Sequence, residues 1–396
     1  MLDRDGAQIL IIGPAVWRFG DTWSPEQPIL AIAVAGGSAV LDNTVHLAWA
    51  DAIGAQARLI TPQHDVPVAL TTSPFSRLAP GEVLENLSRQ HWSGLAAAPL
   101  FLLGRSGTTV TAHTAVRLGE HDGLFIRVVE LTHSGGSVDI VSVLPTVLKI
   151  TSDDHEFFNN HQCCYQKFWP DVEFEHKITM LGPVDLHAVT VGLRNLVGTP
   201  YLPGTIWDYR DDYQLWDFNN HLFEITSPPP EAGYISFIPD SSGTVIVKRK
   251  WFTRDSPRRR ETRWRGVRIP LTVDSFEDYA RSHVDGGIQF LGSFRRTRFD
   301  STCEFTRTGN VYGFMVDWCR PLDRPDVPHL YQVEVEYLHS RARDQAARHA
   351  VETELLTVRN AAAAYLDRAG IAHRPGESKL SYLRSLTALE KQRPQT

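Results

Sequence analysis

The sequence predicts an α+β fold. A C-terminal antiparallel β-barrel with packed helices and a charged tunnel follows an α/β or α+β N-terminal domain, and the expected division is residues 1–168 and 169–396. Strand-length runs succeed one another from Val172 to His339 with hairpin-length gaps, the pattern of a mainly antiparallel sheet that can close. Within several of those runs charged residues recur at every second position, so they share one face of each strand. Before residue 169 the pattern is different: short apolar runs, two helix candidates and turn-rich stretches.

The 396 residues, 42% hydrophobic and 22% charged, allow two domains or one domain with a large addition. With 40 basic and 46 acidic residues the formal charge is -6, which argues against a general nucleic-acid partner while leaving room for one positive cleft. No run approaches the roughly 18 apolar residues that span a bilayer. Met1–Gly6 lacks the basic region of a secretion signal, so no membrane partner and a cytoplasmic location are expected. The 4 cysteines do not suggest a disulfide scaffold, and the adjacent Cys163 and Cys164 lack the spacing of a zinc site.

In the N-terminal region, 8–12 and 29–34 read as strands. The spacing of apolar residues three and four apart predicts a helix over 41–52, with Ser38 as its cap. A second helix is expected over 83–90, and strands over 110–118 and 124–131. Ser134 and Gly136 mark a turn before the apolar run 138–150, and this part looks more like paired strands than strand–helix–strand units. Gly36 and Gly37 read as a turn, since both the dinucleotide pattern and the P-loop lysine are missing. His155 and His161, with Asp153 and Asp154 nearby, offer a weak metal-binding pattern.

Further along, strands are expected over 172–179, 185–191, 221–226, 233–237, 244–252, 261–268, 292–299, 303–306, 311–319 and 331–339. Helices are expected over 276–282, 343–369 with Gly370 as its stop, and 379–389.

The candidate chemistry lies in the alternating charges. Glu173, Glu175 and Lys177 share a face of one strand, and Glu334 and Glu336 share a face of another. Lys248 and Lys250, Arg263 and Arg265, and Arg296 and Arg298 repeat the pattern with basic residues. An exposed strand face would explain any one of these pairs. If all of them point inward, the barrel interior is polar and Val, Phe and Trp pack outside. Burying that much charge is costly without partners. An anionic ligand and divalent ions, Mg²⁺ or Mn²⁺, supply them: hard ions take carboxylate oxygens, and lysine and arginine take phosphoryl oxygens. Asp317, in an apolar strand, is read as a further site residue. His176 alternates with the site residues and is expected on the outer face. The Arg258–Arg260 run reads as a basic hairpin tip.

This order of residues resembles the CYTH superfamily, the triphosphate tunnel metalloenzymes, over roughly residues 170–396. Glu173, Glu175 and Lys177 look like its opening Glu-x-Glu-x-Lys strand, and Glu334 and Glu336 like its closing Glu-x-Glu strand. Lys248 or Lys250 resembles its phosphate-binding lysine, Arg298 its later arginine and Asp317 the carboxylate that follows. The tail Lys379-Leu-Ser-Tyr382-Leu383 is similar to its C-terminal segment. The stretch 194–235 departs from the pattern. It carries Asp208, Asp211, Asp212 and the aromatics Tyr209, Tyr213 and Trp216, while Arg194 or Arg210 stands where part of an early Leu-Arg-x-Arg strand is expected.

The resemblance implies an eight-stranded tunnel and a divalent-metal-dependent phosphohydrolase acting on a nucleoside, organic or inorganic tri- or polyphosphate. It implies metal ligation by Glu173, Glu175, Asp317, Glu334 and Glu336, and phosphate contacts from Lys177, Lys248 or Lys250, and Arg298; the alternating basic faces add Arg263, Arg265 and Arg296 as candidate phosphate contacts. A nucleotide cyclase releasing pyrophosphate shares the same tunnel, and a non-enzymatic binder of a phosphorylated ligand is the third expectation. The N-terminal region is read as part of a substrate entrance or a homodimer surface.

Overall fold

The computed structural model describes residues 6–19, 26–34, 42–52, 56–61, 63–70, 75–76, 79–80, 82–132, 139–159, 165–208, 213–251, 256–324, 326–345 and 347–392. Gly36, Gly37, Ser38, Ser134, Gly136, His161, Cys163, Cys164, Tyr209, Arg210, Asp211 and Asp212 lie outside the described residues. The chain divides into two compact units. One contains Met1–Gln166, Phe305–Asn310 and Ser340–Ala346; the other contains Lys167–Glu304, Val311–His339 and Ala347–Thr396.

The first unit is built on an 8-stranded antiparallel sheet. Its spatial order is Thr44–Ala48, Asp122–Thr132, Thr109–Leu118, Ala97–Ser106, Gln8–Pro14, Ile29–Val34, Ala57–Ile60 and Asp65–Val68. The central strand QILIIGP is buried along its whole length, which a near-continuous apolar run permits only in the middle of a covered sheet. Two segments differ from expectation. Residues 41–52 form a strand, Thr44–Ala48, and a short 3-10 turn, Trp49–Ala52, rather than a helix. Val45 and Leu47 are buried on either side of exposed His46, so pairing with the strand at 122–126 overrode the helical spacing. The run 138–150, grouped with paired strands, is the helix Ile140–Asp153. Asp139 caps it by accepting from the Val141 amide at 3.0 Å, and Ile140, Val143, Leu144 and Val147 form one buried stripe. That stripe joins Ile9–Ile12, Phe101 and Phe125 in a single core.

In the second unit eight strands close into a barrel: β1 (Val172–Met180), β2 (Gln214–Ser227), β3 (Gly233–Pro239), β4 (Val245–Trp251), β5 (Arg258–Val267), β6 (Gly287–Phe305), β7 (Asn310–Pro321) and β8 (Leu330–Ser340). Their order is β6–β2–β3–β4–β5–β1–β8–β7, and β7 pairs back onto β6. The fold is α+β, as expected. Residues 185–191 correct the strand expectation: they belong to helix α1 (Leu186–Arg194). The β-branched run suggested a strand, but Asp185 caps the helix through the Ala188 amide at 3.0 Å and Leu186, Val189, Thr190 and Leu193 bury one face. The runs 292–299 and 303–306 are one 19-residue strand, β6. Asp300 and Ser301 looked like an interruption; both sit in register with β7, opposite Met315 and Phe314.

The barrel is apolar outside and charged inside. On β1, Phe174 and Ile178 face outward and are nonetheless buried, and helix α3 (Arg348–Arg368) packs on this strand with Val351, Leu355 and Val358. Gly370, at φ +69, takes the left-handed conformation that ends α3. Helix α2 (Val273–His283) starts from a Thr272 cap and stacks Phe276 on Phe237 at 4.9 Å between ring centres. Helix α4 (Lys379–Gln392) inserts Leu380, Tyr382, Leu383 and Leu386 into a cluster with Leu222, Tyr234, Leu291 and Phe294. No helix among the described residues is long and apolar enough to cross a membrane.

Candidate active site: a charged cavity inside the barrel

The β1–β8 register sets the first half of the site. Glu175 lies opposite Glu336, Lys177 opposite Glu334, and Thr179 opposite Gln332. Directly opposed residues share a face, and opposed like charges destabilise a sheet. The Glu175–Glu336 pair is therefore unfavourable unless a cation lies between the carboxylates. Glu173 joins it: oxygens from Glu173, Glu175 and Glu336 all lie within 4.8 Å of one another. Lys250 donates to Glu173 at 2.5 and 2.7 Å, and Arg259 reaches Glu175 at 2.9 Å. Glu336 has no hydrogen-bond or ion-pair partner among the described residues. Burial, and then the neighbouring Glu173, push its carboxyl above the usual range. Three close oxygen donors, one of them uncompensated, suit a hard divalent cation such as Mg²⁺ or Mn²⁺.

The second half is an ion network on β6, β7, β8 and α4. Asp317, fully buried, accepts from Arg298 at 2.7 Å, from Arg296, and from Lys379 at 3.0 Å. Glu334 accepts from Arg296 at 2.5 Å and also from Arg298 and Lys379. Burial works against the Glu334 carboxylate, but Lys379, Lys177 and Arg298 outweigh it and hold its carboxyl well below the usual range. Gln332 completes the set by accepting from Lys379 at 2.7 Å. Asp317 and Glu334, both expected as metal ligands, are thus occupied by guanidinium and ammonium groups and stand apart from the carboxylate triad.

These groups line one cavity. Glu173, Glu175, Lys177, Lys248, Lys250, Arg296, Arg298, Glu334 and Glu336 all line it, so the structure gathers them from four separate strands. Lys177 contacts Glu175 and lies 3.5 Å from Glu334. Burial, reinforced by Arg259, pulls its ammonium down to about 7. Lys248 has no ion-pair or hydrogen-bond partner among the described residues, and burial, then Arg263, pull it down to about 8. Arg263 and Arg265 are exposed and are not among the cavity walls; Arg263 pairs with Glu261 at 3.0 Å. His176 faces away from the cavity, half-buried, as expected. Outside the barrel, Asp153 pairs with Lys149 at 2.6 Å and His155 lies 3.2 Å from the Ser152 carbonyl; they form no metal-binding group among the described residues.

Sequence reasoning missed Arg259 and Lys379 as cavity residues. Arg259 was hidden in a run read as a hairpin tip. The strand in fact starts at Arg258, so alternation turns Arg259 inward, opposite Glu173, while Arg258 and Arg260 stay exposed. Lys379 was visible only as part of the tail pattern; it opens α4, and that helix carries it into the barrel.

No family model matches the chain, and no curated protein matches it. Among solved structures, the S. pombe RNA triphosphatase Pct1 is similar in two forms. In complex with the Spt5 CTD it shares 12% identity at TM-score 0.22, covering 50% of this chain and 84% of that one. Alone it shares 13% identity at TM-score 0.21, with the same coverage. The di-domain ARO/CYC StfQ from the steffimycin biosynthetic pathway is similar at 10% identity and TM-score 0.17, covering 92% and 99%. At such scores the site is read from its own geometry. A closed eight-stranded barrel with an inward-facing charged lining is compatible with the tunnel that the CYTH resemblance implies.

Proposed function

We propose that the barrel is a divalent-metal-dependent phosphohydrolase that cleaves a phosphoanhydride bond of a tri- or polyphosphorylated small molecule. The observation that carries this reading is the pairing, in one cavity, of a carboxylate triad lacking a full complement of cations with a half-buried lysine lacking an anion. A metal polyphosphate satisfies both deficits at once. Purely structural ion pairing would leave neither.

In this reading Glu173, Glu175 and Glu336 hold Mg²⁺ or Mn²⁺. When bound, the cation supplies Lewis-acid neutralisation of phosphoryl oxygens. Lys248, Lys177, Arg296 and Arg298 line the path of the phosphate chain and offset its charge. Arg298 cannot lose its proton in this setting: burial opposes its charge, but Asp317 and Glu334 outweigh burial and hold its guanidinium above the ordinary value. Asp317, Glu334 and Lys379 keep that lining rigid, so its dipoles and charges are in place before the phosphoryl group becomes more negative in the transition state.

The test is orthophosphate release from inorganic tripolyphosphate and from nucleoside triphosphates, with Mg²⁺, with Mn²⁺ and with chelator. Metal-dependent release that is abolished in Glu173→Gln supports the proposal. A flat response across the panel with both metals overturns it. Cyclic nucleotide with pyrophosphate as products would assign the same cavity to cyclisation instead.

A further inference from the structure

Trp216 stands at the rim of the cavity and takes no part in the chemistry above. On β2 it lies opposite Arg298 of β6, so both side chains share the inward face. Asp300, the next inward residue of β6, has its carboxylate 3.6 Å from Arg298 Nε. Two residues deeper, β2 repeats the arrangement with Phe218 opposite Arg296, whose guanidinium is 5.9 Å from the ring centre. The deeper ring thus backs an arginine. Arg298 turns instead to Asp317 and Glu334, and Trp216 remains 49% exposed.

The two ends of the cavity differ. At one end Lys379 and the apolar residues of α4 fill the barrel among Leu222, Tyr234 and Phe294. Exposure rises along the inward face of β2 toward the other end, from buried Leu222 and Asn220 through half-buried Phe218 to Trp216. A polyphosphate therefore enters phosphate-first past Trp216, and whatever the phosphates are attached to stays at the rim. What Trp216 offers there is an exposed ring face.

We infer that Trp216, opposite Arg298 on the inward face, is a stacking platform for a planar aromatic group on the organic end of the substrate. The substrate class is then a polyphosphate ester of an aromatic heterocycle, and inorganic polyphosphate is the poorer substrate. This inference rests on the phosphohydrolase reading and narrows it. Aromatic stacking of a base is sequence-tolerant, because every base presents a π-face. The site is accordingly expected to accept adenosine and cytidine triphosphates alike.

The experiment compares kcat/KM for ATP, CTP and inorganic tripolyphosphate in the wild type, Trp216→Leu and Trp216→Phe. The wild type is expected to favour both nucleotides over tripolyphosphate. Trp216→Leu should lower that preference by about ten-fold, the scale of one stacked ring, and Trp216→Phe should restore most of it. An equal fall for all three substrates, or a wild type that prefers tripolyphosphate, overturns the inference while leaving the hydrolase reading intact. If the wild type turns over none of them, the hydrolase reading fails. The inference is then decided by the affinities of a non-hydrolysable ATP analogue and of tripolyphosphate: loss of affinity for the analogue alone in Trp216→Leu supports it, and equal affinities in the two proteins refute it.

Discussion

Replacing Glu336 by Gln should stabilise the metal-free protein and abolish its response to divalent cations. Oxygens of Glu173, Glu175 and Glu336 lie within 4.8 Å of each other. Two unit charges at that distance repel by about 3.5 kcal/mol at an effective dielectric of about 20. Lys250 and Arg259 offset much of the charge on Glu173 and Glu175, so relief of about 1–2 kcal/mol is the expected net gain. For a unit of this size about 1 kcal/mol shifts Tm by roughly 2–4 °C, which puts the rise at about 2–8 °C in chelator. In the wild type a cation at a hundred times its Kd should add about 2.7 kcal/mol; in Glu336→Gln most of that gain is lost. The pH dependence has a definite sign. The folded-state carboxyl of Glu336 is raised above its ordinary value of 4.5, so metal-free wild type loses stability as pH rises from about that value through the raised folded value. Glu336→Gln lacks this decline. Thermal denaturation with and without Mg²⁺ across that pH window reads all three effects. A variant whose metal-free Tm is unchanged or lower, and whose Mg²⁺ shift equals the wild type's, would refute the like-charge argument.

Lys248 predicts a pH dependence of anion affinity. Its ammonium is pulled down to about 8, so tripolyphosphate binding measured by calorimetry without metal should weaken as pH rises through that value. Lys248→Met should bind more weakly and lose this step; an unchanged profile would remove Lys248 from the phosphate path. Asp317→Ala removes one of the two buried carboxylates that Arg296, Arg298 and Lys379 share and leaves Glu334 alone to face all three. Breaking such a network typically costs about 3–5 kcal/mol, to be read by urea denaturation, and a loss below about 1 kcal/mol would show that Asp317 is not the anchor.

The alternation of charges made the barrel interior legible before any coordinates. Glu-x-Glu-x-Lys on one strand and Glu-x-Glu on another can only put like residues on one face, and period two does not depend on what the strand pairs with. The helix Leu186–Arg194 and the strand Thr44–Ala48 were misread for the opposite reason. Short segments of Val, Thr, Leu and Ala satisfy either period, and the decision rests on a cap such as Asp185 or a partner strand such as Asp122–Thr132. Likewise β6 looked broken at Asp300 and Ser301 because charge and hydroxyls in mid-strand are costly against an apolar interior; against a polar one they are not.

By itself the sequence determined which side chains could share a strand face, and therefore that acidic and basic residues would line a common surface if the sheet closed. Only the tertiary structure decided which of them are neutralised. Glu334 and Asp317 look the same as Glu336 along the chain, yet cross-strand register and the approach of α4 give the first two guanidinium and ammonium partners and leave the third without one. Pairing of this kind depends on distances of a few ångströms between residues far apart in sequence, and local periodicity carries no information about those distances.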